Sequence, residues 1–397
     1  MKRIPLPERP DWKRKAEALG FRFHTMHGEP YWDETSAYAF TLEQIERDIE
    51  GPATELHALC LDAVEAIVAS EELLDRLAIP EAARAMIAAS WAAREPSLYG
   101  RLDLAYGGTG PAKLMEYNAD TPTSLYETGS FQWLWLEDQI AAGALPAGAD
   151  QFNALHEALA ARFGALFPAR HDIHFASVAG VEEDFATVEY MAWIANEAGL
   201  TPHYVALDAI GVTEAGQFAD AEGRVIGTLF KLYPWEDMLR DDFAAAIPGA
   251  RCRIIEPAWK ALLSNKGLLP VLWRRHEGHP NLLPALFADE MDNPDPLAAR
   301  ARDAMAAAHV LKPLFSREGA SVSIVEGGVV TERSADRAYD AHPMIAQAYA
   351  PLPVFDGARP VLGAWIVGDA CVGLGIREDA GRITQDLSRF KPHVILP

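Results

Sequence analysis

Half of the 397 residues are apolar and 23% are charged, proportions that exclude a disordered, collagen-like or low-complexity chain and leave length for two or three folding units. The formal net charge is −22, which repels nucleic-acid backbones and anionic lipid, and the basic runs Lys13-Arg14-Lys15 and Arg274-Arg275 are too short to reverse that. No stretch approaches the roughly 18–20 apolar residues of a membrane span, so the expected partners are small molecules, with neither nucleic acid nor membrane among them.

The opening Met1-Lys2-Arg3-Ile4-Pro5 has basic residues with no apolar run behind them, and no signal peptide is expected. The first hundred residues read mainly as helix. Leu56, Leu59, Cys60, Ala63, Val64 and Ile67 recur at steps of three and four, which places an apolar stripe on one helical face. Cys60, Cys252 and Cys371 lie far apart with no CxxC pair, a usage that fits a reducing cytosol and predicts a cytoplasmic protein.

From Tyr99 the pattern changes to period two. Residues 99–106 and 113–118 alternate on either side of Gly107-Gly108-Thr109-Gly110-Pro111, which predicts a β-hairpin. If Gly108–Pro111 closes it, Asp103 faces Glu116 and Arg101 faces Asn118. Two carboxylates directly opposite one another repel, and a hard cation such as Mg²⁺ bound through Asp103, Glu116 and Asn118 would relieve this. A solvated face on which Arg101 pairs with Asp103 or Glu116 explains the same residues. In the following Asn118-Ala119-Asp120-Thr121-Pro122-Thr123-Ser124, hydroxyl and N–H groups could hold a substrate carboxylate, or Thr123 or Ser124 could cap a helix over 125–137.

Residues 173–178, 182–198 and 204–207 read as one βαβ unit. Its helix opens on Glu182-Glu183-Asp184, acids that either complement the helix dipole or wait for an amine. Further on, 225–232 is strand-like, and Lys266 precedes the apolar run 267–273. Strand patterns at 309–315, which holds Lys312, and at 322–325 flank the loop 316–321 containing Arg317 and Gly319. Two lysines beside such a loop could hold a triphosphate. A last hairpin is expected from 361–367 and 370–376. GxxxxGK[ST], a complete GxGxxG, HExxH and GxSxG are all missing, so neither the common nucleotide loops nor a nucleophilic triad is indicated. The pattern is α+β with an α/β segment, and no internal repeat is visible.

Glu116-Tyr117-Asn118-Ala119-Asp120-Thr121-Pro122-Thr123-Ser124, preceded by Tyr99-Gly100-Arg101-Leu102-Asp103, resembles the synthetase part of glutathionylspermidine synthases, and most of all their shorter acid–amine ligase relatives without the amidase domain. The resemblance continues at Val181-Glu182-Glu183, at 230–236, at Glu256-Pro257-Ala258-Trp259 with Asn265-Lys266, at 311–319 and at Ile376-Arg377. It implies one unit over 1–397: a helical region with the hairpin to about 170, a pre-ATP-grasp-like segment at about 171–230, and an ATP-grasp nucleotide-binding region at about 231–397.

The activity so implied is ATP-dependent C–N ligation. By the same resemblance Asp103, Glu116 and Asn118 hold two Mg²⁺ ions, and Arg101 stabilises transition-state charge. Lys266, Lys312, Arg317 and Gly319 contact the nucleotide together with Arg101 and Asp103, and Gln347, Ala348, Tyr349 and Ala350 border the adenine. Thr121, Thr123, Glu182, Glu183 and Arg377 fall at the substrates, a carboxylate and an amine that in the family are a peptide thiol and a polyamine. Thr121 and Thr123 replace family serines and Leu232 replaces a family threonine, so ATP and metal use transfer better than glutathione and spermidine. A ligase joining an amino acid or peptide to another amine, or a non-catalytic nucleotide-binding protein of the same fold, also fits these residues.

Overall fold

The computed structural model describes residues 1–397. Five antiparallel strands form one sheet in the spatial order Arg389–Lys391, Ala370–Asp379, Arg359–Val367, Tyr99–Ala105 and Lys113–Asn118. The early hairpin therefore shares its sheet with strands from the far end of the chain. A second antiparallel sheet runs Ala285–Phe287, Met344–Ala348, Ala308–Pro313, Ser323–Glu326 and Val329–Arg333.

The third sheet is parallel, in the order Arg253–Ile255, Thr228–Lys231, Asp172–Ser177 and Thr201–Ala206. From Asp172–Ser177 the helix Glu182–Glu197 crosses to one neighbouring strand, while the later strands add on the other side. The carboxyl ends of Asp172–Ser177 and Thr228–Lys231 thus lie side by side at a topological switch point, where open α/β sheets leave a crevice for ligands.

The predicted apolar stripe lies on the helix Gly51–Val68, with Leu56, Cys60, Ala63, Val64 and Ile67 buried. Each fully buried Leu or Ile in that stripe contributes roughly 1.5–3 kcal/mol over an exposed one. The helix packs across Arg359–Val367 and Ala370–Asp379, backing the sheet that carries the hairpin.

One expectation needs an addition and one a correction. The first hundred residues are mainly helical as expected, but they also hold strands the sequence did not announce: Lys2–Pro5 and Ser36–Phe40, joined by His393–Ile395 in a three-stranded sheet. Ser36–Phe40 is buried at every position, so it shows no alternation to read. The hairpin is not closed by a four-residue loop. Its strands end at Ala105 and begin again at Lys113, and the register shifts between Asp103 and Leu104, leaving Met115 without a partner. Because this bulge lies on the loop side, Asp103 still pairs with Glu116 and Arg101 with Asn118.

Candidate functional site

A cavity of about 880 Å³ is lined by residues of both antiparallel sheets and of the segments leaving the parallel sheet. Period-two geometry sends Arg101, Asp103, Glu116 and Asn118 to it from the hairpin. The Arg101 guanidinium donates to both Asp103 oxygens at 2.6 and 2.9 Å, and to the Thr123 carbonyl at 2.6 Å. The Asn118 amide bridges the two acids, 2.9 Å from Asp103 Oδ2 and 3.3 Å from Glu116 Oε1. The Arg101–Asp103 pairing considered from sequence is therefore present, but on a buried face and not a solvated one. Gly363 sits opposite Asp103, where an added Cβ would lie 2.7 Å from Arg101 Cδ. Only glycine leaves room for the guanidinium there.

Two lysines complete this end of the cavity. Lys266 Nζ lies 3.2 Å from Glu116 Oε2 and donates to the Ser316 carbonyl at 2.9 Å. Lys312 Nζ donates to the Met115 carbonyl and to Gln347 Oε1, each at 2.9 Å. The bulge thus presents the unpaired Met115 carbonyl to Lys312. Burial resists ionisation of Glu116, but the Lys266 and Lys312 ammoniums outweigh it and hold the carboxyl at about 2. Burial pushes Asp103 up despite Arg101, and lowers Lys312 to about 8. Gln347, Ala348, Tyr349 and Ala350 line the cavity beside Lys312, and the Arg382 guanidinium stands 5.7 Å from the Tyr349 ring.

Behind the hairpin lie charged pairs that sequence reasoning missed. Lys260 Nζ bridges the carbonyls of Tyr99 and Ala119 at 2.8 and 2.9 Å, tying together the two strands just beyond the Arg101–Asn118 pair. Glu256, 3.2 Å from Lys260, accepts the N–H groups of Leu98 and Tyr99. Asp120 takes Lys231 Nζ at 2.6 Å and the Trp235 N–H at 2.7 Å. The four-residue spacing of Glu256 and Lys260 was a local signal; the pairing of Asp120 with Lys231 left none.

Glu182, Glu183 and Asp184 also line the cavity, and Glu127 lies close enough to act on Glu183. Glu127, buried, accepts from the Tyr31 hydroxyl at 2.5 Å, and burial pushes its pKa up. Glu183 is half-buried, while Glu182 is exposed at the rim. Burial, reinforced by Glu127 and opposed by Arg377, lifts Glu183 to about 8. Arg377 donates to the carbonyls of Gln385, Asp386 and Ser388 and stands 5.1 Å from the Tyr31 ring.

Arg317 reaches from the loop 316–321 to the Thr121 hydroxyl at 2.6 Å. Gly319 in that loop has φ +70° and packs against the Thr384 carbonyl, a position closed to side chains. Thr123 lines the cavity as well. The helix cap considered for Thr123 or Ser124 is not formed. Ser124 has φ 67° and its hydroxyl lies 3.1 Å from that of Tyr31. Thus every candidate site residue borders this one cavity; Tyr31, Glu127 and the charged pairs behind the hairpin come to light only in three dimensions.

Comparison with known proteins adds four findings. A family model described as glutathionylspermidine synthase preATP-grasp matches residues 3–396. A Haemophilus influenzae protein named as a candidate acid–amine ligase is 39% identical, covering 100% of both chains. Trypanothione synthetase of Crithidia fasciculata is 29% identical over 83% of this chain, which spans only 52% of that longer relative. Among solved structures, a glutathione synthetase-like effector of Globodera pallida superposes with a TM-score of 0.56 at 12% identity, covering 91% of this chain and 89% of the other. At that identity the likeness speaks for the fold alone.

Proposed function

The chain belongs to the glutathionylspermidine synthase family of ATP-dependent carbon–nitrogen ligases, and from that premise we propose that it joins a small carboxylic acid to an amine through an acyl phosphate. The observation that carries the reading is the meeting of Arg101, Asp103, Glu116 and Asn118 with Lys266 and Lys312 in one cavity. These residues come from separate parts of the chain, and nucleophilic side chains are not needed among them. Phosphoryl transfer runs on positioning and electrostatic stabilisation.

The donor set fits the expected metal. Asp103, Glu116 and Asn118 offer oxygen ligands suited to Mg²⁺, and Asp103 and Glu116 stand directly opposite on paired strands. Bound Mg²⁺ would neutralise charge on the ATP phosphates. In the proposed sequence, Lys266 and Lys312 hold those phosphates, and residues 347–350 border the base. A substrate carboxylate attacks the γ-phosphorus, the bond to the bridging oxygen breaks, and ADP leaves. Arg317 and Gly319, in the loop 316–321, cover the mixed anhydride and exclude water. The neutral amine then attacks the acyl carbon, Arg101 stabilises the developing oxyanion, and phosphate departs as the amide forms.

Thr121, Thr123 and Arg377 border the acid, while Glu182 and Glu183 border the amine. The glutathione and spermidine of the family name are candidates for this chain among other acids and amines. The test is ADP release with Mg²⁺-ATP over a grid of carboxylates and amines, with product mass as confirmation. Turnover that needs one acid together with one amine supports the ligase. Mg²⁺-ATP binding with no turnover on any pair would favour a binding role.

A further inference from the structure

The apolar side chains of the molecule gather in two large buried clusters, so large apolar groups left in solvent together call for a reason. One such group stands at the mouth of the cavity. Val178 and Val181, in the segment between the strand Asp172–Ser177 and the helix Glu182–Glu197, line the cavity. Phe185 follows Val181 by one helical turn, its N–H donating to the Val181 carbonyl at 3.0 Å. The Phe185 ring packs edge-on against Tyr204 with centroids 5.1 Å apart. The Tyr204 hydroxyl returns to Ser177 Oγ at 3.5 Å, beside Val178. Val178 and Val181 thus stand at the cavity wall, with the Phe185–Tyr204 pair one helical turn beyond Val181, and each of the four is 41–47% exposed.

Rested on the ligase reading above, we infer that this patch is a subsite for an apolar tail on the amine substrate: a monoamine bearing an alkyl or aryl group. Two observations favour such a tail over other coverings. Val178 and Val181 belong to the cavity wall itself, so a ligand inside runs onto the patch with no gap. Glu182 and Asp184 also line the cavity on either side of Glu183 and next to Val181, which gives an ammonium head acidic partners within one turn of the apolar surface. A second ammonium at the far end of a polyamine would instead meet Val181, Phe185 and Tyr204 and lose hydration without gaining a partner.

The experiment is calorimetric binding of matched amines to the full chain: phenethylamine and hexylamine against ethanolamine and 1,4-diaminobutane. The expected result is about tenfold tighter binding of the first two, as burial of several methylenes or half a ring provides. The double variant Phe185→Ser with Tyr204→Ser should bring all four within about twofold, while Phe185→Leu, which keeps an apolar contact, should preserve most of the difference. Equal affinities, no binding of the apolar amines, or tightest binding of the diamine would overturn the inference. So would a wild-type dimer in sedimentation that the double serine variant converts to monomer, since a second copy would then cover the patch. Mg²⁺-ATP binding is read on the same samples; its absence would sink the ligase reading while leaving the comparison between amines to decide the subsite.

Discussion

Lys266 and Glu116 meet at 3.2 Å across the cavity, joining the segment ahead of the helix Leu268–Arg275 to the second strand of the hairpin. The proposed phosphate-binding lysine and the proposed metal-binding carboxylate are thereby each other's counter-ion. On that proposal, Mg²⁺-ATP would replace this pair by lysine with phosphate and carboxylate with metal, so that neither side chain would be left without a counter-charge.

Glu116→Gln should abolish that exchange while preserving shape. ADP release is expected to fall by at least about 100-fold, the scale on which phosphoryl-transfer enzymes depend on charge stabilisation. Steady-state turnover within about twofold of wild type would remove Glu116 from the metal site.

Gly363→Ala tests the room left for Arg101. The new methyl would lie 2.7 Å from Arg101 Cδ, and such overpacking costs typically about 1–3 kcal/mol unless the guanidinium moves. Displacement of the guanidinium from Asp103 should lower kcat by about tenfold or more, with a smaller effect on KM for ATP. Unchanged kcat, with the melting temperature also unchanged, would show that the side chain is not confined there.

Lys260→Met should be severe for stability. It would leave the buried Glu256 carboxylate without its cation and the carbonyls of Tyr99 and Ala119 without a donor. Breaking a buried ion pair from one side typically costs about 3–5 kcal/mol, to be measured by urea denaturation. The double variant Lys260→Met with Glu256→Gln should recover part of that loss, because it removes the unpaired charge. No recovery would mean that the bridging of the two carbonyls carries most of the effect.

Glu183 gives a pH signature. Glu127, Glu318 and Asp386 act on it with one sign and Arg377 with the other, and burial leads in raising its pKa from 4.5 to about 8. The folded state then holds a proton that the unfolded chain has released, so across that window this group's contribution to stability declines as pH rises. Glu183→Gln removes the titration. Its unfolding free energy, compared with wild type, should therefore improve steadily from about pH 5 to about pH 9. A difference that stays flat with pH would show that Glu183 titrates normally.

The pairing of Asp103 with Glu116 was legible because a period of two fixes which residues share a face, and a bulge on the loop side leaves the open end in register. The helix Gly51–Val68 was legible because its stripe is one-sided. Ser36–Phe40 was not, since complete burial erases the alternation that identifies a strand. Whether Thr123 or Ser124 capped a helix stayed open in the sequence because hydroxyl residues both cap helices and serve elsewhere, and the left-handed backbone at Ser124 is not a local signal. The approach of Lys266 and Lys312 to one carboxylate depends on how two sheets are set against each other, which no local spacing encodes.

The sheet that bears the hairpin has a consequence for biosynthesis. Tyr99–Ala105 has Arg359–Val367 as its other neighbour, and Ser36–Phe40 pairs with His393–Ile395. A ribosome makes the early strands long before their partners emerge, and such distant pairings close late and slowly. A nascent or truncated chain thus has an open edge where Arg101 and Asp103 should be held and no wall at Gly363 or Arg377. The cavity is complete only once residues 359–395 have joined the early strands. Until then the uncovered strand edge of the hairpin is open to pairing with other chains.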